Sequence, residues 1–365
     1  MANILILIPK DNVAYNFRSE VILKLHELGH EIYIVSPYGS KIDYFVERGC
    51  HFIDLPIDRR GTSIIADSKL IISYRRIAKE VKADVVLTYT TKCSVYGGFA
   101  CESLGIPYIV NAAGVMQSGD RLSFLERFIL FLYKLAFRKA SCIMYQNHFE
   151  RDLVNQILKN KVHYRDIPGS GVNLTAFTYK EYPDSDEVVR FNYVARIMKN
   201  KGIDEFLECA IRIKKAYSNT EFIIYGDYDD NKYRTIISNL EKEGIVRYGG
   251  IQMDMKPYIE AAHAVIHPSY YEGMTNVVLE HSAMGRPCIG SDVPGVKDGI
   301  DDGITGFVFK VRNVDSMVET VEKFLSLNNE EKAKMGRAAR EKMECEFDRN
   351  IVTNTYIEEI EKILS

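Results

Sequence analysis

Four charged residues carry the chemistry legible in this 365-residue chain: Glu272 and Glu280, eight positions apart, and Arg196 and Lys201 ahead of them. The acids lie in Pro268-Ser-Tyr-Tyr-Glu-Gly-Met-Thr-Asn-Val-Val-Leu-Glu280. Ala264-Val-Ile reads as a buried strand, Gly273 relaxes the backbone, and Thr275 or Asn276 can cap a helix carrying Val277 to Glu280. Backbone N–H groups from Gly273 through Met274 and Thr275 to Asn276 then lie at a helix start, where the positive end of the dipole favours a phosphate. From there to Glu280 the helix climbs roughly 6 to 9 Å, comparable with the separation of two sugars across a diphosphate. One carboxylate can hold each sugar of a nucleotide-sugar. Taken alone, such a pair also fits two solvated charges.

The run Tyr193-Val-Ala-Arg196-Ile-Met-Lys-Asn-Lys201-Gly202 sets an arginine at the end of a strand and a lysine at the opening of a helix through Glu205 to Ala216. A planar guanidinium grips phosphate oxygens in two places while an ammonium acts as a compact charge, so the two are complementary. Downstream, Met284-Gly-Arg-Pro-Cys-Ile-Gly-Ser-Asp292, Pro294-Gly-Val and Gly303-Ile-Thr-Gly-Phe307 read as helix, turn, strand and Gly-rich loop.

In this order the motifs resemble the retaining family 4 glycosyltransferases of GT-B fold, more narrowly the bacterial capsule and O-antigen polysaccharide biosynthesis type, over nearly the whole chain. The resemblance implies that Arg196 and Lys201 grip the donor diphosphate, Glu272 orients the donor-sugar hydroxyls and Glu280 binds the ribose. Tyr248, Gly249, Gly250 and Ile251 are then expected beside the base. The implied activity is that of a hexosyltransferase, moving a sugar from a UDP-hexose or UDP-N-acetylhexosamine to a lipid-linked saccharide with retention. Leaving-group stabilisation by preorganised cations and amides would dominate. No cofactor is expected and no metal is required; Gly226-Asp-Tyr-Asp-Asp230 fits a polar loop better than a metal site. No nucleophile or general base is evident.

Two other functions fit the same architecture: a sugar-nucleotide epimerase, and a noncatalytic nucleotide-sugar-binding protein. A glycosidase fits poorly, because its paired carboxylates must straddle one bond within about 5 to 10 Å.

The length suits two α/β domains rather than one, and 46% hydrophobic residues supply two cores. Two passages share one layout: strand Ile4 to Ile8, loop Pro9 to Asn12, helix Arg18 to Leu28, strand Glu31 to Val35; and strand Val189 to Ala195, loop Arg196 to Lys201, helix Asp204 to Tyr217, strand Glu221 to Tyr225. Strand, helix and strand in that order imply parallel pairing, hence two doubly wound, Rossmann-like domains facing across a cleft. The turn-rich Pro168-Gly-Ser-Gly-Val-Asn173, which also resembles the family's interdomain motif, sets the expected boundary: an acceptor-side domain over 1–170 and a nucleotide-sugar domain over 171–346. Val352, Tyr356, Ile360 and Ile363 share a helical face, and by resemblance the helix of 347–365 returns to the first domain.

No glycine-rich loop follows the first strand, which argues against a dinucleotide there. Asn16 and Arg18 are expected on the acceptor side beside Tyr15, with Thr91 and Lys92 just after a strand. Asn111-Ala-Ala-Gly114-Val-Met is similar to the subgroup's Asn-x-x-Gly-Leu-Gly, with Met116 where a second glycine is usual.

Charge is uneven, with 22 Lys and Arg against 17 Asp and Glu in residues 1–170 and 25 against 33 in the remainder. The basic half suits an anionic membrane surface and a polyprenyl-diphosphate acceptor; no nucleic acid partner is expected. Residues 120–140 read as a helix with Arg127, Lys134 and Arg138 on one side, compatible with an interfacial helix or with a partly buried one. There is no apolar run of about eighteen residues and no leader pattern, and the seven cysteines lack paired spacing. A cytoplasmic protein with reduced thiols is expected, peripheral to the inner membrane if the helix touches it.

Overall fold

Near-continuous apolar runs such as Ile4 to Leu7 have no polar face to leave in water, so they form parallel strands covered on both sides. The structure, a computed structural model, describes residues 1–58, 64–112, 124–184 and 187–365. In chain order the elements are β1 (Asn3–Leu7), α1 (Asp11–Glu27), β2 (Glu31–Ser36), α2 (Asp43–Val46), β3 (His51–Asp54), α3 (Ile64–Glu80), β4 (Val85–Tyr89) and α4 (Thr91–Leu104). Next come β5 (Tyr108–Asn111), α5 (Phe124–Phe137), β6 (Cys142–Tyr145), α6 (His148–Leu158), β7 (Tyr164–Asp166), β8 (Val189–Val194), α7 (Ile203–Ala216) and β9 (Thr220–Tyr225). The remainder is α8 (Lys232–Lys242), β10 (Arg247–Gly250), α9 (Lys256–Glu260), β11 (Ala264–His267), α10 (Asn276–Ala283), β12 (Cys288–Ser291), β13 (Gly306–Phe309), α11 (Val314–Leu325), α12 (Asn329–Glu346) and α13 (Arg349–Leu364).

The chain forms two compact units, one of Met1–Gly171 with Arg349–Ser365 and one of Val172–Asp348. The first holds a seven-stranded sheet ordered β3-β2-β1-β4-β5-β6-β7. Alternation along β1 sends Leu5 and Leu7 to a core with Val86, Tyr133 and Phe137, and Ile4 and Ile6 to the opposite core with Val21, Val352 and Tyr356. The second core is thus closed by α13, whose buried face is Val352, Tyr356 and Ile360.

The second unit holds a six-stranded sheet ordered β10-β9-β8-β11-β12-β13, parallel throughout. In each sheet the order reverses once, between β1 and β4 and between β8 and β11. At such a reversal the two following loops diverge and leave a crevice beyond the carboxyl ends of the strands. Arg196 and Lys201 follow β8, and Glu272 follows β11.

One helix starts earlier than the sequence suggested. Of the loop expected at Pro9 to Asn12, Asp11 and Asn12 already belong to the first turn of α1, so Tyr15 and Asn16 are helical along with Arg18. Asp11 in that turn complements the helix dipole, and no glycine or proline after Pro9 interrupts it.

Candidate functional site

The reversal between β8 and β11 brings two loops into contact. After β8 the chain enters a short 3-10 turn, Lys199–Lys201, ended by Gly202 in the left-handed region at φ 69°. A side chain on Gly202 would collide with the Pro268 carbonyl and lie 2.7 Å from the Pro268 Cβ, so only glycine lets the loops approach. Tyr270 N donates to Asn200 O at 3.0 Å, Asn200 Nδ2 donates to Tyr271 Oη at 3.1 Å, and Tyr193 Oη donates to Lys201 O at 3.1 Å. Tyr270 Oη reaches Glu205 at 2.7 Å, and Arg312 lies 4.5 Å over its ring. The loop bearing Glu272 is thereby fixed to the loop bearing Lys201.

Between them sits an ion pair. Lys201 Nζ lies 2.5 Å from Glu272 Oε1, with the two side chains 18% and 17% exposed. His267, the last residue of β11 and almost fully buried, places Nε2 3.2 Å from the same oxygen. Burial works against ionisation of Glu272, but the His267 hydrogen bond and the Lys201 charge outweigh it and hold the carboxyl at about 2. Glu272 is therefore a fixed anion at neutral pH.

Past Glu272, Thr275, which with Asn276 was one of two expected caps, takes the N-cap position of α10 with an extended backbone, though its side chain makes no capping bond. Its own N–H is committed to Gly295 O at 3.0 Å. The first turn, opening at Asn276, leads with its N–H groups as helix geometry requires, and half-buried Glu280 stands one turn further on. Behind it His281 is buried; burial drives its imidazole down to about 3, so it is neutral. Its Nδ1 lies 2.8 Å from Val277 O, and Asn192 Nδ2 approaches Nε2 at 3.4 Å.

The other donor-side candidates lie on neighbouring strand ends. Arg196 is mostly exposed and pairs with Asp229 at 3.3 Å, so it is joined to the loop after β9 and not to Glu272. The acidic run Gly226 to Asp230 accordingly contributes an arginine partner. Tyr248 on edge strand β10 donates its hydroxyl to Gly226 O at 2.9 Å and packs 4.9 Å from the Tyr228 ring. Ile251 beyond it is 62% exposed, an apolar surface free to meet a flat ring. Gly273 is exposed and Met274 half-buried at the mouth of the Glu272 loop.

The acceptor-side candidates of the first unit do not converge. Asn16 is exposed on α1, whereas Arg18 is buried. Thr91 Oγ1 accepts from Tyr133 Oη at 3.2 Å. Lys92 pairs with Asp67 at 2.9 Å, an acid that also receives Tyr96 Oη at 2.6 Å, on the wall of a pocket of about 510 Å³ lined by Pro37, Leu55 and Leu70. Gly114 and Met116 lie outside the described residues.

Among the described residues, Cys142, His163 and Glu359 bring ligand atoms within 4.8 Å of one another. Arg165 and Lys362 both reach Glu359 Oε1 at 2.8 Å, a cationic setting that disfavours a further cation. All seven cysteines are free thiols, with only Cys345 exposed. No helix of the described residues is long and apolar enough to cross a membrane. The described part of the 120–140 segment holds α5, on which Phe124, Leu125, Phe128 and Phe131 are at least half exposed and Arg127 and Lys134 are exposed; Arg138 just beyond it is bonded to Glu102 at 2.8 Å.

Sequence reading missed His267, Asn200, Tyr270 and Gly295. The only available signal was position, since His267 ends the strand that delivers Glu272.

Residues 180–342 match the family described as glycosyl transferases group 1, and residues 3–147 the glycosyl transferase 4-like family. The chain is 23% identical over 368 residues to N,N'-diacetylbacillosaminyl-diphospho-undecaprenol alpha-1,3-N-acetylgalactosaminyltransferase of Campylobacter jejuni, covering 96% of each. It is 26% identical over 305 residues to UDP-Gal:alpha-D-GlcNAc-diphosphoundecaprenol alpha-1,3-galactosyltransferase of Escherichia coli, covering 78% of this chain and 76% of that one. Its fold is similar to a glycosyltransferase from Rickettsia africae, with a TM-score of 0.80, 18% identity, and coverage of 100% and 99%.

Proposed function

We propose that this chain, which belongs to the family 4 GT-B glycosyltransferases, moves a hexose or N-acetylhexosamine from a UDP-sugar to a polyprenyl-diphosphate-linked saccharide, with retention, in surface polysaccharide synthesis. The observation that carries the reading is the Lys201–Glu272 pair at the strand-order reversal of the second unit, beside the start of α10. Donor and acceptor classes are supported by the names of the two transferases to which the chain is similar, both acting on undecaprenyl diphosphate-linked sugars.

Lys201 exchanges Glu272 for the donor diphosphate when donor arrives, Arg196 leaves Asp229 to join it, and the N–H groups opening α10 add their dipole. Glu272, released, accepts hydrogen bonds from the donor-sugar hydroxyls, while Glu280 binds the ribose and Tyr248 and Ile251 flank the base. As the C1–O bond breaks, the electron pair leaves with the nucleoside diphosphate and the cations offset its growing charge. The acceptor oxygen bonds C1 on the same face and its proton passes to a departing phosphate oxygen. The chemistry asks for no cofactor and no metal, because Lys201, Arg196 and the amides supply the positive charge.

The enzyme works at the cytoplasmic face of the membrane, with the exposed phenylalanines and Arg127 and Lys134 of α5 resting on anionic lipid. Incubation with radiolabelled UDP-sugars, with and without a short-chain polyprenyl-diphosphate saccharide, tests the reaction. Labelled lipid-linked product is expected only with acceptor. An epimerised UDP-sugar formed without acceptor, or donor binding with no turnover, would replace this reading with an epimerase or a binding protein.

A further inference from the structure

The first unit contains a buried cation without a counter-charge. Arg18 lies on the core-facing stripe of α1 with Ala14, Val21 and Ile22, and is 3% exposed. It donates one hydrogen bond, to Phe17 O at 2.9 Å, and its guanidinium lies 5.1 Å from the Tyr89 ring centre and 5.9 Å from that of Tyr356. No acid of the described residues forms an ion pair with it. Arg286 shows what a structural buried arginine needs: it is fully buried, and its guanidinium donates to the carbonyls of Lys180, Glu181 and Glu260 at 2.8 to 2.9 Å. Burying a charge is costly unless it is paired and hydrogen-bonded, and Arg18 has a single hydrogen bond, to Phe17 O, and no ion pair among the described residues.

The groups around Arg18 are donors as well. Tyr89 ends β4, Asn111 ends β5 and Gln146 follows β6, so all stand at the carboxyl edge of the sheet. Asn111 Nδ2 donates to Tyr356 Oη at 3.1 Å, leaving the Tyr356 hydrogen to seek an acceptor. Gln146 Nε2 takes up Asn111 Oδ1 at 3.0 Å. Burial, first, and then the neighbouring Tyr356 phenol keep Tyr89 protonated, with its buried hydroxyl directed at the Tyr356 oxygen. A guanidinium and two protonated phenols thus face one another with no anion among them. They flank the reversal between β1 and β4, the crevice position of this sheet. Half-buried Gln146 and Thr90 mark the side open to solvent.

We propose that Arg18, with the Tyr89 and Tyr356 hydroxyls, is an anion subsite of the first unit that takes the diphosphate of the lipid-linked acceptor. A diphosphate supplies several acceptor oxygens and the missing negative charge together. The assignment rests on the reading of the chain as a transferase onto a diphosphate-linked acceptor.

The probe is farnesyl diphosphate, titrated calorimetrically into the full chain with UDP at saturation so that the donor phosphate position is filled; farnesol is the uncharged control. The wild type is expected to bind the diphosphate and not farnesol, and Arg18→Gln to bind it about tenfold to a hundredfold more weakly. Tyr89→Phe, which removes one hydroxyl, should weaken it by about fivefold. Circular dichroism checks folding; if Arg18→Gln does not fold, Arg18→Lys, which keeps charge but loses the planar fork, takes its place with about a tenfold loss. Equal affinity in wild type and variants, or equal binding of farnesol and its diphosphate by the wild type, overturns the proposal. Failure to turn over any UDP-sugar would sink the transferase reading separately, since the titration needs no reaction.

Discussion

Lys201 Nζ and Glu272 Oε1 stand 2.5 Å apart, so the cation proposed for the donor diphosphate and the acid proposed for the donor sugar neutralise each other when neither ligand group is present. The pair presets both side chains at a strand-order reversal and keeps a mostly buried charge compensated until a diphosphate competes for the lysine. Lys201→Met should remove a charge that matters most as the diphosphate leaves, lowering kcat/KM for the donor by about 10²- to 10³-fold. UDP release under acceptor saturation measures it. A loss below about fivefold would mean that Lys201 only holds Glu272 in place.

Acid should destabilise the second unit in two windows. His281 is depressed from 6.5 to about 3 by burial, so the unfolded chain binds its proton first, and stability present above pH 6.5 is lost as pH falls towards 3. Glu272 is depressed from 4.5 to about 2, so its contribution, on the order of 3 kcal/mol, is present above pH 4.5 and lost as pH falls towards 2. Melting temperatures read both. His281→Asn should start lower than wild type but fall less between pH 7 and 5, and Glu272→Gln should fall less between pH 5 and 3. Parallel curves for variant and wild type would contradict these assignments.

Gly202 joins the lysine loop to the acid loop, and it has no room for a side chain. Gly202→Ala must leave the left-handed region or push Pro268 away, costing about 1 to 3 kcal/mol. Because Pro268 leads to Glu272, UDP affinity should fall alongside the melting temperature, by about tenfold. A lowered melting temperature with unchanged UDP affinity would show the loop contact to be purely structural.

The two parallel sheets were legible because Ile4 to Leu7 and Ala264 to Ile266 are apolar runs and Val189, Phe191 and Tyr193 alternate along a third strand, with a helix pattern between strands. Lys201 was legible beside Arg196 and Glu272 beside Glu280, each in the loop after such a strand, but their contact with each other was not. The start of α1 was not, since Asp11, Asn12 and Asn16 interrupt the apolar period while the helix gains from Asp11 at its positive end. Nor could the sequence disclose that Thr275 would give its backbone N–H to Gly295, twenty positions on, and make no side-chain cap. Arg18 was legible as a candidate but not as a buried one, because its cover comes from Tyr89 and from Tyr356 in the last helix. His267 joins the site through strand geometry that residue type alone does not reveal.

Phe124, Phe128 and Phe131 recur at helical spacing and stay exposed, while Glu126, Leu130 and Tyr133 face the core. A helix that leaves aromatic rings in water on one face gains by placing them at a lipid interface, and adjoining Arg127 and Lys134 each add about 1 kcal/mol near anionic headgroups. Arg127→Glu with Lys134→Glu should weaken sedimentation with phosphatidylglycerol-containing vesicles by at least about tenfold at low salt. The folded state should be untouched, as both side chains are exposed. Arg138→Glu should weaken binding less, because Arg138 is already bonded to Glu102 and its charge is partly neutralised. Rising ionic strength should release the wild type, as expected for screened charges. Vesicle binding that ignores both salt and the double reversal would mean that this face of α5 meets something other than an anionic membrane.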